Sequence, residues 1–253
     1  MQIILTGTGT SQGVPVINCK CEVCRSENTY DKRLRTSAIV KFQDTTLLID
    51  AGPDLRQQLL AHPVERIDAI LITHPHHDHI GGMDDLRPFF FRQKKPLDIY
   101  AGEETRKAIQ KKYYYAFDEN PYPGAPQFNL IQLENRAFTI NNHQILPIYA
   151  WHGKMPVWGF RFGNFAYLTD IKEISEEEQA KLQNLDVLVL SALHHKKHHS
   201  HLSLSEALAL IKKVNPAKAY LTHISHEMGK YEKIKKILPK NVFLGYDGLE
   251  IKT

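Results

Sequence analysis

His74, His76, Asp78 and His79 lie within the six consecutive residues His74-Pro75-His76-His77-Asp78-His79. Imidazole nitrogens and carboxylate oxygens are donors for divalent transition metals, and so many of them cannot all be buried as ordinary core. Pro75 stiffens the stretch. His74 and His76 can therefore point one way while Asp78 and His79 are presented to a second point in space, a frame for two adjacent metal ions. The other reading is a solvated histidine-rich turn, and the context separates the two. The preceding run Ile67-Asp68-Ala69-Ile70-Leu71-Ile72-Thr73 reads as a buried strand. Gly81-Gly82 then lets the backbone turn sharply into a helix, so the motif sits on a strand-to-helix loop.

Cys19, Cys21 and Cys24 fall within six residues and are the only cysteines of the chain. An odd number so crowded is not a disulfide framework. Thiolates at this spacing can take three corners of a zinc tetrahedron if another ligand arrives from elsewhere, and free thiols in a surface loop are the alternative. The loop Gly7-Thr8-Gly9-Thr10-Ser11-Gln12-Gly13 is neither a P-loop, because no Gly-Lys-Ser/Thr follows, nor a dinucleotide fingerprint, because a Cys-rich loop stands where a helix should begin. It reads as structure near the site. Asp50 could hold the tautomer of a metal-bound imidazole or be a turn carboxylate. Residues 194–201 carry five of the 14 histidines. Most of them read as a solvated cationic loop with Lys196 and Lys197; His201 differs because it directly precedes a helix.

To aim these side chains the chain needs strands that end at them. Residues 2–6 read as a first strand, and 36–42 with 46–50 as a hairpin around Gln43-Asp44-Thr45. A helix over 54–61 follows, with Pro53 near its first turn. Beyond the histidine motif the pattern predicts a helix over 83–91, a strand over 97–100 and a helix over 103–115. Residues 117–128, with Pro121, Pro123, Gly124 and Pro126, follow no period; they read as a long loop, a packing flap in preference to a lid. Strands are expected over 128–133, 137–140 and 143–150. A hairpin over 157–162 and 164–169 turns at Gly163. A helix over 175–182 has Ser175 and Glu178 as a capping box. A strand over 186–190, a helix over 203–214 and a strand over 217–222 complete the pattern.

The chain has 253 residues and is 42 % hydrophobic, enough for a substantial core, and residues 1–253 read as a single domain. Its net charge of +4 suits an anionic substrate and is too weak to argue for a nucleic-acid partner. The N-terminus lacks a basic segment followed by an apolar one, and no run reaches the roughly 18 apolar residues of a membrane span. The expectation is a cytoplasmic protein without a membrane partner, with a homodimer left open.

The loop of His74 to His79 resembles the signature of the metallo-β-lactamase superfamily of binuclear metal hydrolases. That resemblance implies an α+β fold, a four-layered αβ/βα sandwich with the metals at one edge. It also implies further ligands, for which His152, Asp170 and His223 stand in the right order. By this carry-over His74, His76 and His152 would hold one divalent metal, zinc or manganese, and Asp78, His79 and His223 the other, with Asp170 between them. Two such cations make hydroxide from a bridging water available at neutral pH and clamp developing charge. The complete set argues against the superfamily's di-iron redox branch and against a non-catalytic metal-binding scaffold.

Within the superfamily the resemblance extends to the PhnP-like phosphoribosyl cyclic phosphodiesterases. It is carried by Gly7-Thr-Gly-Thr-Ser-Gln-Gly13 with Val14-Pro15, the clustered cysteines, His201-Leu-Ser, and Thr222-His223-Ile-Ser-His226. It implies hydrolysis of a small anionic, cyclic sugar phosphate diester, with His201 and Asp78 beside the reacting atoms, and an additional zinc. Three thiols are one ligand short, and His226, three residues beyond His223, is the expected fourth for a structural zinc. Ribonuclease Z-like RNA processing shares the motif near His201. Against it, the sequence has no long exosite arm rich in glycine, proline and basic residues.

Overall fold

Along β1 (Gln2–Gly7) the side chains alternate between two buried surfaces, Ile3 and Leu5 entering one apolar cluster and Ile4 another. A strand covered on both faces belongs to an inner layer. The computed structural model, which describes residues 1–253, has two such inner layers. One sheet contains β1, β2 (Ser37–Lys41), β3 (Thr46–Ile49), β4 (Ala69–Leu71), β5 (Leu97–Ala101), β6 (Phe128–Gln132) and the last strand, β14 (Leu249–Lys252). Its order is β14-β1-β2-β3-β4-β5-β6. The other contains β7 (Phe138–Ile140), β8 (His143–His152), β9 (Met155–Phe162), β10 (Phe165–Leu168), β11 (Val187–Ser191), β12 (Lys218–Thr222) and β13 (Val242–Leu244), in the order β13-β12-β11-β10-β9-β8-β7.

Each sheet passes from antiparallel to parallel pairing. β1, β2 and β3 are antiparallel and β3 to β6 parallel; β8, β9 and β10 are antiparallel and β10 to β13 parallel. Parallel neighbours need crossovers, and these place helices on the outer faces. α1 (Leu55–Ala61), α2 (His77–Ile80), α3 (Arg87–Gln93) and α4 (Glu103–Lys112) belong to the first sheet. α5 (Glu176–Ala180), α6 (Leu204–Val214) and α7 (Tyr231–Ile234) belong to the second. Leu5, Val40, Ile49 and Leu71 meet Phe160, Phe165, Tyr167 and Val189 between the sheets. Leu55, Phe89 and Ile109 cover Ile4, Ile39 and Ile99 outside one sheet, and Leu204, Ile211 and Val214 cover Leu168, Leu190 and Leu221 outside the other. Burying such a side chain is worth about 1.5–3 kcal/mol, so the alternation alone drives the stacking. This is the expected α+β four-layered αβ/βα sandwich. No helix is long and apolar enough to cross a membrane.

Several local expectations need correction. The turn into helix comes before Gly81, because His77–Ile80 is already helical, and Gly81 and Gly82 have ordinary negative φ. A close approach requires the glycines here: a Cβ on Gly82 would lie 2.0 Å from the Gly52 carbonyl oxygen, and one on Gly52 would lie 2.0 Å from that of Asp78. Residues 83–91 begin as a 3-10 turn before α3, which runs on to Gln93, and α4 stops at Lys112. Ser175 accepts from the Glu178 N–H, but the Glu178 carboxylate turns to Asn135, Lys181 and the Tyr149 N–H, so that capping box is half made. The complete box is at Ser203 and Glu206 of α6.

Candidate metal centre

Three strand ends share one local sequence, an aliphatic residue and a threonine followed by a potential ligand: Ile72-Thr73-His74, Leu168-Thr169-Asp170 and Leu221-Thr222-His223. All three threonines are buried. They stand at the C-terminal ends of β4, β10 and β12, and His152 ends β8. The Trp158 N–H donates to the Thr73 carbonyl at 2.9 Å and ties the two sheets together at this edge. Asp50, Asp170 and His223 have φ of 61°, 56° and 54°. A non-glycine residue there costs on the order of 1–3 kcal/mol and persists where the surroundings enforce it, commonly at functional sites.

The ring nitrogens are sorted by their outer partners. His79 Nδ1 donates to Asp50 Oδ2 at 2.7 Å, and the same carboxylate accepts from the Thr73 N–H at 2.8 Å and the Thr73 hydroxyl at 3.0 Å. That hydroxyl oxygen lies 3.0 Å from His74 Nδ1, and His152 Nδ1 donates to the Ser200 carbonyl at 2.7 Å. With each Nδ1 so engaged, Nε2 keeps a lone pair toward the interior. His74 Nε2 lies 3.0 Å from His76 Nδ1. His79 Nε2 lies 3.3 Å from both Asp78 Oδ2 and Asp170 Oδ2, and His223 Nε2 lies 3.0 Å from Asp170 Oδ1.

Ligand atoms of His74, His76 and His152 fall within 4.8 Å of one another, as do those of Asp78, His79 and His223, and Asp170 groups with His74 and His79. The seven residues expected from the sequence therefore converge. Buried polar atoms normally find hydrogen-bond partners, yet His79 Nε2 and both ring nitrogens of His223 have none. Cation ligation at the Nε2 lone pairs of His79 and His223 accounts for those two atoms, so the donor set fits a pair of divalent metals.

The electrostatics point the same way. Burial alone would depress the His79 imidazole, but Asp50, Asp170 and Asp78 outweigh it and hold the ring well above the ordinary histidine range. Burial would raise Asp170, and His223 and His79 hold it well below the usual carboxylate range instead. Asp78 is lowered against burial by His79 and His223. For Asp50 burial wins and the carboxyl is raised. His74 is pushed well down by burial and by the neighbouring His79. Asp170 and Asp78, held as buried carboxylates, and the raised His79 imidazole mark the Asp78, His79 and His223 side of the site as one that favours positive charge.

His201 comes to the same centre. Its Nδ1 is buried, unpartnered and 3.4 Å from Asp170 Oδ1, and its ring packs 4.5 Å from that of His152 and 4.9 Å from that of His223. Burial depresses it to about 3. Its loop is held by Lys172, which donates to Glu206 at 2.8 Å and to the His201 carbonyl at 3.4 Å.

The Gly7–Gly13 loop docks on the segment after His223: the Ile224 N–H donates to the Thr8 carbonyl and the Thr10 N–H to that of Ile224. This brings the cysteines to His226. Its Nδ1 lies 3.4 Å from Cys19 Sγ, 3.4 Å from Cys21 Sγ and 3.6 Å from Cys24 Sγ. A zinc tetrahedron with Zn–S of about 2.3 Å and Zn–N of about 2.0 Å has S···N edges of about 3.5 Å, so the spacing fits one. Burial opposes ionisation of Cys21, but the Cys24 N–H and His226 bring it down to about 6, whereas burial pushes Cys24 up to about 11.

The residues 194–199 are not simply solvated. His194 is buried, and His195 Nε2 donates to the Met228 carbonyl at 2.9 Å. Thr73, Ser200 and Lys172 escaped the sequence reading. The repeated aliphatic-threonine-ligand string was the available signal for the first, whereas a backbone carbonyl such as that of Ser200 leaves none.

Residues 45–224 match the family described as beta-lactamase superfamily domain, and the chain belongs to that superfamily. The crystal structure of a new diphosphatase from the PhnP family superposes with a TM-score of 0.93 at 34 % identity, over 100 % of this chain and 97 % of that one. Zinc-bound PqqB from Methylobacterium extorquens shares the fold, with a TM-score of 0.80 at 18 % identity over the whole of both chains. Among curated proteins an octanoyltransferase of Porphyromonas gingivalis is 38 % identical over 253 residues, 99 % of this chain and 51 % of its own length. The chain thus spans about half the length of the curated relatives it matches.

Proposed function

We propose that this protein is a binuclear metal-dependent hydrolase that cleaves small phosphate diesters, a cyclic sugar phosphate among them. The observation that carries the reading is the meeting of two ligand triads at one carboxylate, Asp170, beside the unpartnered ring of His201. His74, His76 and His152 would hold one metal, and Asp78, His79 and His223 the other. Bound divalent cations supply a low-pKa water and neutralise charge on a phosphoryl group. The chain's own residues do the rest. Asp50, Thr73 and the Ser200 carbonyl fix the imidazoles in the tautomers that aim Nε2 inward. His201 is set to hold a proton at the leaving oxygen: an anionic phosphate beside the ring opposes burial and draws a proton onto it. Similarity to a PhnP-family diphosphatase supports chemistry at doubly substituted phosphorus. Cys19, Cys21, Cys24 and His226 would hold a separate structural zinc that pins the N-terminal loop to the His223 segment.

Octanoyl transfer is a poorer fit to these residues. Acyl transfer through a covalent intermediate needs an activated nucleophile such as a thiol or amine. Here the cysteines gather on His226 and Lys172 is engaged by Glu206. The named relative is about twice as long, so its activity can reside in the part this chain does not match.

Turnover of bis(p-nitrophenyl) phosphate, lost on chelation and restored by zinc or manganese, is the expected result. Absence of turnover with either metal refutes the reading, and cleavage of pre-tRNA in place of small diesters would move the assignment to RNA processing.

A further inference from the structure

The two tryptophans of the chain stand on one surface. Tyr149 and Trp151 of β8 lie directly opposite Trp158 and Pro156 of β9, so these four side chains share one face of the ribbon. Trp158 belongs to the apolar cluster between the sheets, and Tyr149 packs against it. Beside that cluster a cleft of about 240 Å³ opens between Tyr149, Pro156 and Trp158 of the ribbon and Gly102 and Glu104 at the start of α4. The rings meet at steep angles: Tyr149 lies 5.5 Å from Trp151 at 84° and 5.0 Å from Trp158 at 75°. A Cβ on Gly102 would lie 2.4 Å from Trp158 Nε1, so only glycine lets the indole edge approach here. Trp158 is 8 % exposed, yet its indole N–H donates to no protein group, and Trp151 is 40 % exposed.

The charges lining the cleft have one sign, because no lysine or arginine is among them. Glu103 is taken by Lys107, and Gln132 by Arg106 behind it. Glu104 has no such partner. Burial first and the Glu104 charge second hold the Tyr149 phenol above its ordinary range, which places that carboxylate near the ring. Ring faces attract cations, a carboxylate neutralises them, and a free indole N–H needs an oxygen acceptor. A hard metal ion prefers a shell of oxygen ligands and water, whereas an alkylammonium group presents the apolar surface that aromatic rings can cover.

We propose that the cleft between the β8–β9 ribbon and the start of α4 binds an alkylammonium cation that carries a neighbouring oxygen, an amino-alcohol group of the choline type. The ammonium lies among Tyr149, Trp151 and Glu104, and its oxygen accepts from the Trp158 indole N–H. The ligand chemistry is opposite in sign to that of the metal centre, and the proposal does not depend on how that centre is read.

The test is titration of the metal-loaded protein with choline chloride and with dimethylbutanol, its uncharged carbon isostere, at constant ionic strength. The chain has no other tryptophan, so intrinsic emission reports this cleft. Choline should change the emission saturably and bind about tenfold or more tightly than the alcohol. Glu104 is exposed, so Glu104→Gln leaves the fold intact; it should weaken choline about threefold to tenfold and leave the alcohol unchanged. Tyr149→Phe keeps the ring and should keep choline binding, whereas Tyr149→Leu, checked by thermal melting, should weaken it about tenfold. The absence of a saturable response overturns the proposal, as does equal affinity for choline and the alcohol, or a Glu104→Gln protein that binds choline as wild type does. No turnover enters the measurement, so failure here leaves the hydrolase reading standing, and a protein that hydrolyses nothing can still show this site.

Discussion

Asp50 Oδ2 lies 2.7 Å from Nδ1 of His79, with both side chains inaccessible to solvent. The carboxylate also accepts from the Thr73 N–H and hydroxyl, so its position is fixed independently of the imidazole. It holds the His79 ring in one tautomer and one orientation. Partners of this kind are worth roughly 10- to 100-fold in metal affinity. Asp50→Ala should therefore weaken binding at the Asp78, His79 and His223 site by that factor, read by competition with a chelator of known affinity. Metal affinity equal to wild type would reduce Asp50 to a turn carboxylate.

Asp170 groups with His74 and His152 of one triad, and its two oxygens lie 3.3 Å from His79 Nε2 and 3.0 Å from His223 Nε2 of the other. Asp170→Ala should abolish phosphodiesterase turnover and release metal from both positions, since it removes the ligand they share. Elemental analysis after gel filtration measures this directly. Full metal content with near-normal turnover is incompatible with the assignment.

His201 makes a different prediction because it touches the site without completing either triad. His201→Ala should lose about 10²- to 10⁴-fold in rate, the usual range for general acid–base catalysis, while metal content stays full. The loss should shrink for p-nitrophenolate leaving groups, which need no proton, and grow for alkoxides. Equal losses on the two kinds of substrate would argue against protonation of the leaving oxygen.

The parts of this site that were legible in the sequence are those where chemistry and periodicity coincide. His74, His76, Asp78 and His79 follow an aliphatic run, and a buried β4 ends at them. The alternation in β1 and the paired strand blocks give the layers, with the arrangement of layers coming from the family resemblance. What could not be read depends on partners distant in sequence. Ser200 orients His152 through a carbonyl that any residue possesses. Glu178 abandons its capping role for Tyr149 and Asn135 because tertiary hydrogen bonds outcompete a local one. His194 reads as solvated within a polar run, but packing against the His226–Met228 turn buries it.

Cys21 tests the second metal cluster. Wild type should contain about three metals per chain, and Cys21→Ser should lose one of them and melt at a markedly lower temperature, since a structural zinc contributes folding energy outright. The lost metal should leave the catalytic pair in place. A wild-type count of two that the substitution does not alter would show that the thiols gather on His226 without a metal.

The last prediction concerns pH and the support behind the His223 segment. Asp247 accepts from the Leu34 N–H at 2.6 Å and the Thr8 hydroxyl at 2.7 Å, and the Thr8 carbonyl accepts from Ile224, next to His223. Arg33, also buried, donates to Thr8 and to the Gly245 carbonyl. Burial pushes the Asp247 carboxyl up to about 6 in spite of the two hydrogen bonds and the nearby guanidinium. An unfolded aspartate titrates near about 3.9, so between these values the folded state binds more protons than the unfolded one. The contribution of this group to stability is fully present below about pH 4 and is lost as pH rises through about 6, by on the order of 3 kcal/mol. Asp247→Asn removes the ionisation and keeps an acceptor. Urea unfolding at several pH values should show wild type losing stability relative to Asp247→Asn as pH rises from about 4 to 7. A difference between the two proteins that does not vary with pH would mean that Asp247 is already ionised throughout the range.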